Sequence, residues 1–170
     1  SKTLGIEVNI IPIIKDSQDR ISSSRIRSAL KVGNLKIAKN LLGRSYSFQG
    51  SVIRGKGLGK QIGWPTANLQ VDGRKFLPGL GVYAAWAMEK TKLEKFPAVM
   101  NLGPQPTVDP TSPSAVEVHL LDQKIELLDK KLIIEPIERL RGQKKFENIQ
   151  DLSDQIGKDA DFARTILRTQ

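Results

Sequence analysis

The sequence predicts a mainly β protein, an antiparallel barrel or sandwich with helical segments at both ends. Apolar and polar residues alternate in short runs from Ser45 onward, the period typical of strands with one buried face. Turn signals rich in Gly, Pro and Asp separate these runs, and this spacing favours antiparallel connections over βαβ units. No apolar run approaches the ~18 residues that a membrane helix requires.

The N-terminal 43 residues predict a strand followed by two short helices. β-Branched side chains dominate residues 5–14, which favours a strand. Ser22–Ser24 offer hydroxyls for an N-cap, and the apolar residues that follow recur at helical spacing until Gly33. A second helix is predicted over 35–42, with Gly43 as its stop.

Six strands and a closing helix are predicted after Ser45. The strands cover Tyr46–Val52, Ala67–Val71, Val82–Met88, Phe96–Leu102, Val116–Asp122 and Leu132–Glu138. The short run over 67–71 gives the weakest pattern of the six. The end of the chain reverts to helix, because apolar residues spaced four, four, three and four apart form one stripe: Leu152, Ile156, Ala160, Ala163 and Leu167.

The formal net charge of +9 raises the question of a nucleic-acid partner, and its distribution argues against one. Residues 1–44 hold nine Lys/Arg and three Asp/Glu, whereas residues 45–170 hold eighteen and fifteen. Most of the excess therefore belongs to the N-terminal segment. No basic stripe interleaved with aromatics is present, and aromatics make up 5% of the chain. The alternative is that Lys and Arg cover a solvated face and attract anionic substrates such as ATP.

Cysteine usage and the N-terminus bear on the compartment. With no cysteine, the chain has neither a disulfide framework nor a thiolate metal site. The N-terminus also lacks the charged-then-apolar pattern of a signal peptide. We therefore expect a cytoplasmic protein without a membrane partner.

The most informative segment is glycine-rich and basic, and runs from Gly50 to Leu69. Its candidate phosphate-binding residues are Gly55, Lys56, Gly57, Gly59, Lys60 and Gly63. Glycines let backbone N–H groups approach an anion closely, and lysines supply positive charge. The side-chain oxygens of Thr66 and Asn68, in the turn that follows, suit a hard cation such as Mg²⁺ that arrives with phosphates. The segment indicates nucleotide chemistry.

Spacing alone assigns this loop to no known phosphate-binding class. Gly55 and Gly59 are separated by three residues and Lys60 is followed by Gln61, so the P-loop template fails. Ile62 stands where the dinucleotide fingerprint would need its third glycine. From the residues alone, a mobile glycine hairpin is an equal alternative.

Five motifs occur in an order that resembles one enzyme family. They are Gly-Trp-Pro-Thr-Ala-Asn-Leu (63–69), Pro-Gly-Leu-Gly-Val-Tyr (78–83), Asn-Leu-Gly-Pro-Gln-Pro-Thr (101–107), Val-Glu-Val-His-Leu-Leu-Asp (116–122) and Leu-Arg-x-x-x-Lys-Phe (140–146). Over residues 44–170 the chain resembles the riboflavin kinase module of the bacterial-type bifunctional riboflavin kinase/FAD synthetases. The resemblance implies a closed six-stranded Greek-key barrel with a C-terminal helix. It also implies phosphorylation of riboflavin by ATP to give FMN and ADP.

The N-terminal segment resembles a different part of the same family. Ile-Ser-Ser-Ser-Arg-Ile-Arg (21–27) is similar to the motif that closes the adenylyltransferase domain and helps to bind ATP phosphates there. The His-x-Gly-His signature of that domain is absent, since the only histidine is His119. We therefore expect residues 1–43 to be a remnant of that domain and 44–170 to be the kinase module. FMN adenylylation should be absent, and the missing domain is a candidate partner.

Glu117 is the candidate general base. It shares one face of a predicted strand with His119, and in a closed barrel such a carboxylate would sit at the mouth, over the substrate. An ordinary solvent-facing glutamate is the alternative from the residues alone, and the resemblance favours the base. The resemblance also implies that Thr66 and Asn68 meet Mg²⁺ and nucleotide phosphate beneath a glycine flap. His119 either orients Glu117 or packs as an ordinary histidine.

The flavin side is implied by resemblance alone. Arg141 is the candidate contact to flavin or nucleotide diphosphate, and Phe146 is either a lid on the isoalloxazine ring or a core residue. Two positions depart from the family pattern, because Gln143 replaces an acidic residue and Gln105 replaces an arginine. These departures motivate a second hypothesis, a non-catalytic flavin- or nucleotide-binding module. A basic nucleic-acid-binding barrel is the third.

Overall fold

The computed structural model describes residues 12–17, 19–55, 57–92, 94–103, 116–123 and 125–169. Its helices are α1 (Ser23–Lys31), α2 (Leu35–Leu42), α3 (Leu58–Gln61) and α4 (Ile149–Leu167). Its strands are β1 (Phe48–Ile53), β2 (Ala67–Val71), β3 (Gly81–Glu89), β4 (Lys95–Leu102), β5 (Val116–Leu120) and β6 (Lys131–Arg141). The six strands and three longer helices confirm the elements predicted after Ser22.

The strand predicted over 5–14 has a different outcome. Only residues 12–14 of it are described, and they take no regular structure. Arg25 of α1 holds the segment that follows. Its guanidinium donates to the Asp16 carboxylate at 2.7 and 3.1 Å and to two carbonyl oxygens of the adjoining turn at 3.0 Å. This arginine of the 21–27 motif therefore fixes a turn to the start of α1.

The strands close into one antiparallel barrel in the order β1-β2-β5-β4-β3-β6. Strands β3, β4 and β5 form a meander, while β2 pairs with β5 and β6 returns to pair with both β3 and β1. This order confirms the predicted six-stranded barrel. Closure leaves the sheet without a free edge, so every strand has two partners that fix its register.

The barrel interior forms the main core. Along β5 the side chains of Val116, Val118 and Leu120 are buried in it, and the residues between them are half-buried. Because successive side chains of a strand point to opposite faces, Glu117 and His119 lie on the outer wall. The structure thus puts Glu117 on the outside of the barrel rather than at its mouth.

Helices α1 and α2 pack against the same core. Leu30, which is 2% exposed, and Leu35 belong to the buried cluster that fills the barrel. The backbone N–H of Gly79 donates to the Leu30 carbonyl at 2.9 Å, and a Cβ at Gly79 would collide with the Lys31 carbonyl oxygen. The division into 1–43 and 44–170 stays a prediction, although the helices of the first segment share the core of the second.

Helix α4 packs on the outer wall and forms a second buried cluster. Its residues Ala160, Ala163, Ile166 and Leu167 meet Val82, Ala84, Val99 and Leu121 there. Arg164 binds the Asp122 carboxylate at 2.8 and 3.0 Å, which ties α4 to the end of β5 and lowers the pKa of Asp122. Among the described helices, none is long and apolar enough to cross a membrane.

Leu30→Ala tests whether α1 belongs to the barrel core. We expect the free energy of unfolding to fall by about 2–5 kcal/mol, because a buried leucine leaves a cavity when truncated. Val32→Ala is the control, since Val32 is 67% exposed just beyond the same helix, and such surface changes stay within about 0.5 kcal/mol. Urea unfolding measures both. Equal losses in the two variants would place α1 outside the core.

Tyr46 makes stability depend on alkaline pH. Its hydroxyl donates to the Phe76 carbonyl, and burial raises the pKa of Tyr46 from 10.0 to about 12. A raised phenol pKa favours the neutral form in the folded state, so its contribution is complete below pH 10.0 and is lost as the pH rises to about 12. Urea unfolding across this window should show a steeper loss for the parent than for Tyr46→Phe. Equal slopes would contradict the assignment.

Candidate active site

A cavity of about 820 Å³ lies on the outer wall of the barrel, between the strands, the glycine segment and α4. Its polar lining consists of Arg54, Gly55, Gly57, Gly59, Thr66, Asn68, Asn101, Glu117, His119, Gln143 and Lys144. Its apolar lining consists of Ile62, Trp64, Val82, Val99, Phe146, Leu152 and Ile156, and the pair Arg141–Asp159 completes the wall. The volume is typical of a site for a small molecule.

One row of residues crosses this wall from strand to strand. The register aligns Asn68 with Glu117, Glu117 with Asn101, Asn101 with Val82, and Val82 with Arg141. Directly paired residues share a face of the sheet and lie roughly 5 Å apart. The row spans β2, β5, β4, β3 and β6 in turn. The pairing of β5 with β2 and β4 therefore places the carboxylate of Glu117 between two asparagines.

The half-buried carboxylate of Glu117 has an amide network on its β4 side. Asn101 Nδ2 donates to Glu117 Oε2 at 3.5 Å, which is a long hydrogen bond. Gln143 Nε2 donates in turn to Asn101 Oδ1 at 2.9 Å and to the Leu102 carbonyl at 2.8 Å. Glu117 thus faces the cavity beside neutral donors.

His119 and Trp64 hold the turn that presents Thr66. The Nδ1–H of His119 donates to the Pro65 carbonyl at 2.7 Å, and the rings of His119 and Trp64 meet edge to face with centroids 5.3 Å apart. The Trp64 indole N–H donates to Ser153 Oγ of α4 at 3.0 Å. The turn is therefore anchored to β5 through His119 and to α4 through Ser153.

The glycine segment packs closely over the two predicted metal-binding residues. A Cβ at Gly55 would collide with the side-chain amide of Asn68. A Cβ at Gly59 would collide with the Trp64 carbonyl oxygen and would lie 3.2 Å from Thr66 Oγ1. These two glycines are thus required for close packing against the turn.

The rest of the predicted phosphate-binding set has mixed placements. Gly57, with φ of 73°, begins the single turn of α3 and lines the cavity. Lys60 and Gly63 are not among the residues that line it, and Lys56 lies outside the described residues. The segment contains a helical turn where one interpretation expected a hairpin, because the Gln61 N–H donates to the Gly57 carbonyl at 3.4 Å.

Arg141, one of the two predicted flavin contacts, is held by α4. Its Nε and Nη2 donate to the Asp159 carboxylate at 2.8–3.0 Å, and Asp159 is only 5% exposed. Gln155 Nε2 donates to the same carboxylate at 3.0 Å. The ring of Phe146, the other predicted contact, lies 5.8 Å from the Arg141 guanidinium and 5.5 Å from the Lys144 ammonium. Both predicted residues line the cavity.

Several residues that line the cavity were not among the predicted site residues, and they include Arg54, Asn101 and Asp159. Arg54 stands beside Gly55, the first of the candidate phosphate-binding residues, so its charge was a local signal. The position of Asn101 beside Glu117 depends on the register between β4 and β5, which a local sequence pattern does not show. Asp159 lies next to the apolar stripe of α4. A charged residue at such a place indicates a buried ion pair, here with Arg141.

A family model described as Flavokinase, riboflavin kinase, matches residues 42–167. The chain belongs to the riboflavin kinase family. The riboflavin kinase match covers all six strands, α4 and every residue of the cavity wall.

Curated relatives within this riboflavin kinase family are bifunctional riboflavin kinase/FMN adenylyltransferases. The Bacillus subtilis protein is 38% identical over 149 residues, which are 86% of this chain and 46% of the relative. The Escherichia coli K12 protein is 36% identical over 160 residues, 94% of this chain and 50% of the relative. The chain spans about half the length of the curated relatives it matches.

Two solved structures share the fold of this chain. A crystal structure described as a macrolide-efflux protein from Streptococcus pneumoniae superposes with a TM-score of 0.82 at 32% identity, over 91% of this chain and 50% of that one. Riboflavin kinase from Trypanosoma brucei superposes with a TM-score of 0.50 at 21% identity, over 72% of this chain and 79% of that one. At this identity the second likeness supports the fold alone.

Gly55→Ala should displace the Asn68 side chain and leave the barrel intact. The new methyl group would meet the flexible amide end of Asn68 rather than backbone. We expect the Asn68 side-chain amide resonances to move in NMR spectra, while the melting temperature changes by less than about 4 °C. Gly73→Ala is the control, because nothing lies within 4 Å of a Cβ at that position. Unmoved Asn68 resonances would contradict the packing.

Proposed function

We propose that this chain phosphorylates riboflavin at the ribityl 5′-hydroxyl with ATP, giving FMN and ADP. The observation that supports this most is the row that sets Glu117 between Asn68 and Asn101 in a cavity that Thr66 also lines, in a chain of the riboflavin kinase family. Phosphoryl transfer requires an aligned hydroxyl, an acceptor for its proton and neutralisation of the developing charge. The cavity wall offers a group for each requirement.

Glu117 accepts the proton in this proposal. Its carboxylate lines the cavity, and the neutral side-chain amide of Asn101 donates to it at 3.5 Å. A general base must reach the hydroxyl proton within hydrogen-bond distance, and the outer wall leaves room for a ribityl chain over Glu117. The proton moves from the 5′-hydroxyl to Glu117 as the hydroxyl oxygen bonds the γ-phosphorus and ADP leaves.

Thr66 and Asn68 hold the metal–nucleotide end in this proposal. Their hydroxyl and amide oxygens suit Mg²⁺ that is carried in by phosphates, because Mg²⁺ keeps waters and few protein ligands in such sites. Within the described residues, no group of three or more His, Cys, Asp or Glu could hold a metal ion by itself. In this proposal the metal enters as part of the MgATP substrate, where it would neutralise charge on the phosphates.

The apolar lining receives the flavin ring in this proposal. Seven apolar residues from the glycine segment, β3, β4, α4 and the loop before α4 line the cavity, which suits a planar aromatic ring. Phe146 and Arg141 lie on this lining, as their predicted roles require. Because Asp159 occupies Nε and Nη2 of Arg141, the guanidinium is already oriented before a ligand arrives.

The direct experiment incubates the chain with riboflavin, ATP and Mg²⁺ and separates the flavins by chromatography. FMN that forms only with Mg²⁺ present is the expected product. Tight binding of FMN or ADP without any FMN formed would replace this proposal with the non-catalytic binding module.

Glu117→Gln should lower kcat by roughly 10²–10⁴, the usual scale for a general base, while binding of riboflavin and MgADP is kept. Glu138→Gln is the matched control, because Glu138 is an exposed glutamate of β6 that does not line the cavity. Steady-state kinetics and calorimetry separate turnover from binding. Parental turnover in Glu117→Gln would remove Glu117 as the base.

A further inference from the structure

Gln143 lies next to the candidate base without contacting it. This exposed residue follows the end of β6, and its side-chain nitrogen crosses to β4. Nε2 donates to Asn101 Oδ1 at 2.9 Å and to the Leu102 carbonyl at 2.8 Å. Both partners are acceptors, so the amide must present its nitrogen, with its two protons, to this point.

The orientation of the Gln143 amide sets the orientation of the Asn101 amide, which faces Glu117. An asparagine side chain has one oxygen and one nitrogen, and the two ends can exchange places by a half-turn. Because Gln143 donates to the oxygen, the nitrogen of Asn101 faces Glu117 Oε2, at 3.5 Å. The reverse orientation would bring an acceptor against the carboxylate and a donor against the donor of Gln143.

We propose that Gln143 is a positioning residue for Glu117, acting through the side-chain amide of Asn101. Gln143 holds the N–H of Asn101 toward the carboxylate. The inference rests on the proposed role of Glu117 as the proton acceptor. It gives a role to the glutamine at a position where the family resemblance implies an acidic residue.

Two substitutions separate the orienting effect from the charge effect. An ionised glutamate at 143 cannot donate to Asn101 or Leu102, so the Asn101 amide would turn to offer it an N–H. The same glutamate adds a negative charge beside Asn101. A methionine at 143 has a similar length and removes the donor without adding charge.

The first measurement needs no activity. Carboxyl ¹³C NMR compares the Glu117 resonance of the free protein at neutral pH in the parent, Gln143→Glu and Gln70→Glu. Gln70 is an exposed glutamine of β2 that does not line the cavity, so its replacement is a matched change of charge. We expect the Glu117 carboxyl resonance to shift in Gln143→Glu, because the Asn101 N–H turns away from it, and to keep the parental position in Gln70→Glu.

The second measurement is kinetic. Gln143→Met should lower kcat by about 5- to 50-fold, because the base is less well oriented. The KM values for riboflavin and MgATP should stay within about twofold, since no ligand contact is removed.

The outcomes distinguish this inference from the proposed function. An unshifted Glu117 resonance in Gln143→Glu, or parental kcat in Gln143→Met, would overturn the positioning role. A parent chain that forms no FMN, in a protein whose Gln143→Glu variant does shift the Glu117 resonance, would end the kinase proposal and keep the amide link. If Gln143→Glu does not fold, Gln143→Met takes its place in the NMR comparison, because it also removes the donor to Asn101 and must move the same resonance.

Discussion

The site depends on the hydrogen-bond register of a closed barrel. Asn68, Glu117 and Asn101 come from three strands, and they stand side by side only because β5 is paired on both edges. A slip of one residue along β5 would turn Glu117 into the apolar interior and expose Val116 and Val118 on the outer wall. Burial of the apolar face of β5 therefore fixes the register that aligns Asn68, Glu117 and Asn101. The same burial stabilises the barrel.

The remaining walls of the cavity are added to this rigid frame by a small number of contacts. Trp64 joins the turn to α4 through Ser153 and to β5 through His119. Arg164 joins the far end of α4 to Asp122. The glycine segment meets the same turn where side chains larger than hydrogen would not fit. Strand pairing thus fixes the barrel, and side-chain contacts fix the segments that enclose the cavity. This arrangement is suited to binding two substrates of different chemistry.

Local patterns in the sequence were sufficient for the elements and for the face on which Glu117 lies. Alternation of period two marks β5, and an apolar stripe marks α4. The position of Asn101 beside Glu117 was not predictable, because it is set by the pairing of β4 with β5, which are distant in the local sequence pattern. Alternation indicated that Glu117 faces away from Val116 and Val118, but the expected place at the barrel mouth was wrong, and what covers the outer wall depends on where α4 docks. The glycines at 55 and 59 were interpreted through phosphate chemistry, while their contacts show a packing requirement that the sequence pattern does not reveal.

The pair formed by Arg141 and Asp159 has a consequence for how variants of this chain are interpreted. Asp159 is 5% exposed and takes its donors from Arg141 and Gln155. Truncating the arginine would leave a charge enclosed by protein with most of its compensation gone, a change that destabilises folds strongly. Loss of activity on replacing Arg141 alone would therefore confound weakened folding with weakened ligand recognition. Replacing both members by apolar residues of matching volume removes that ambiguity, since neither charge is then stranded.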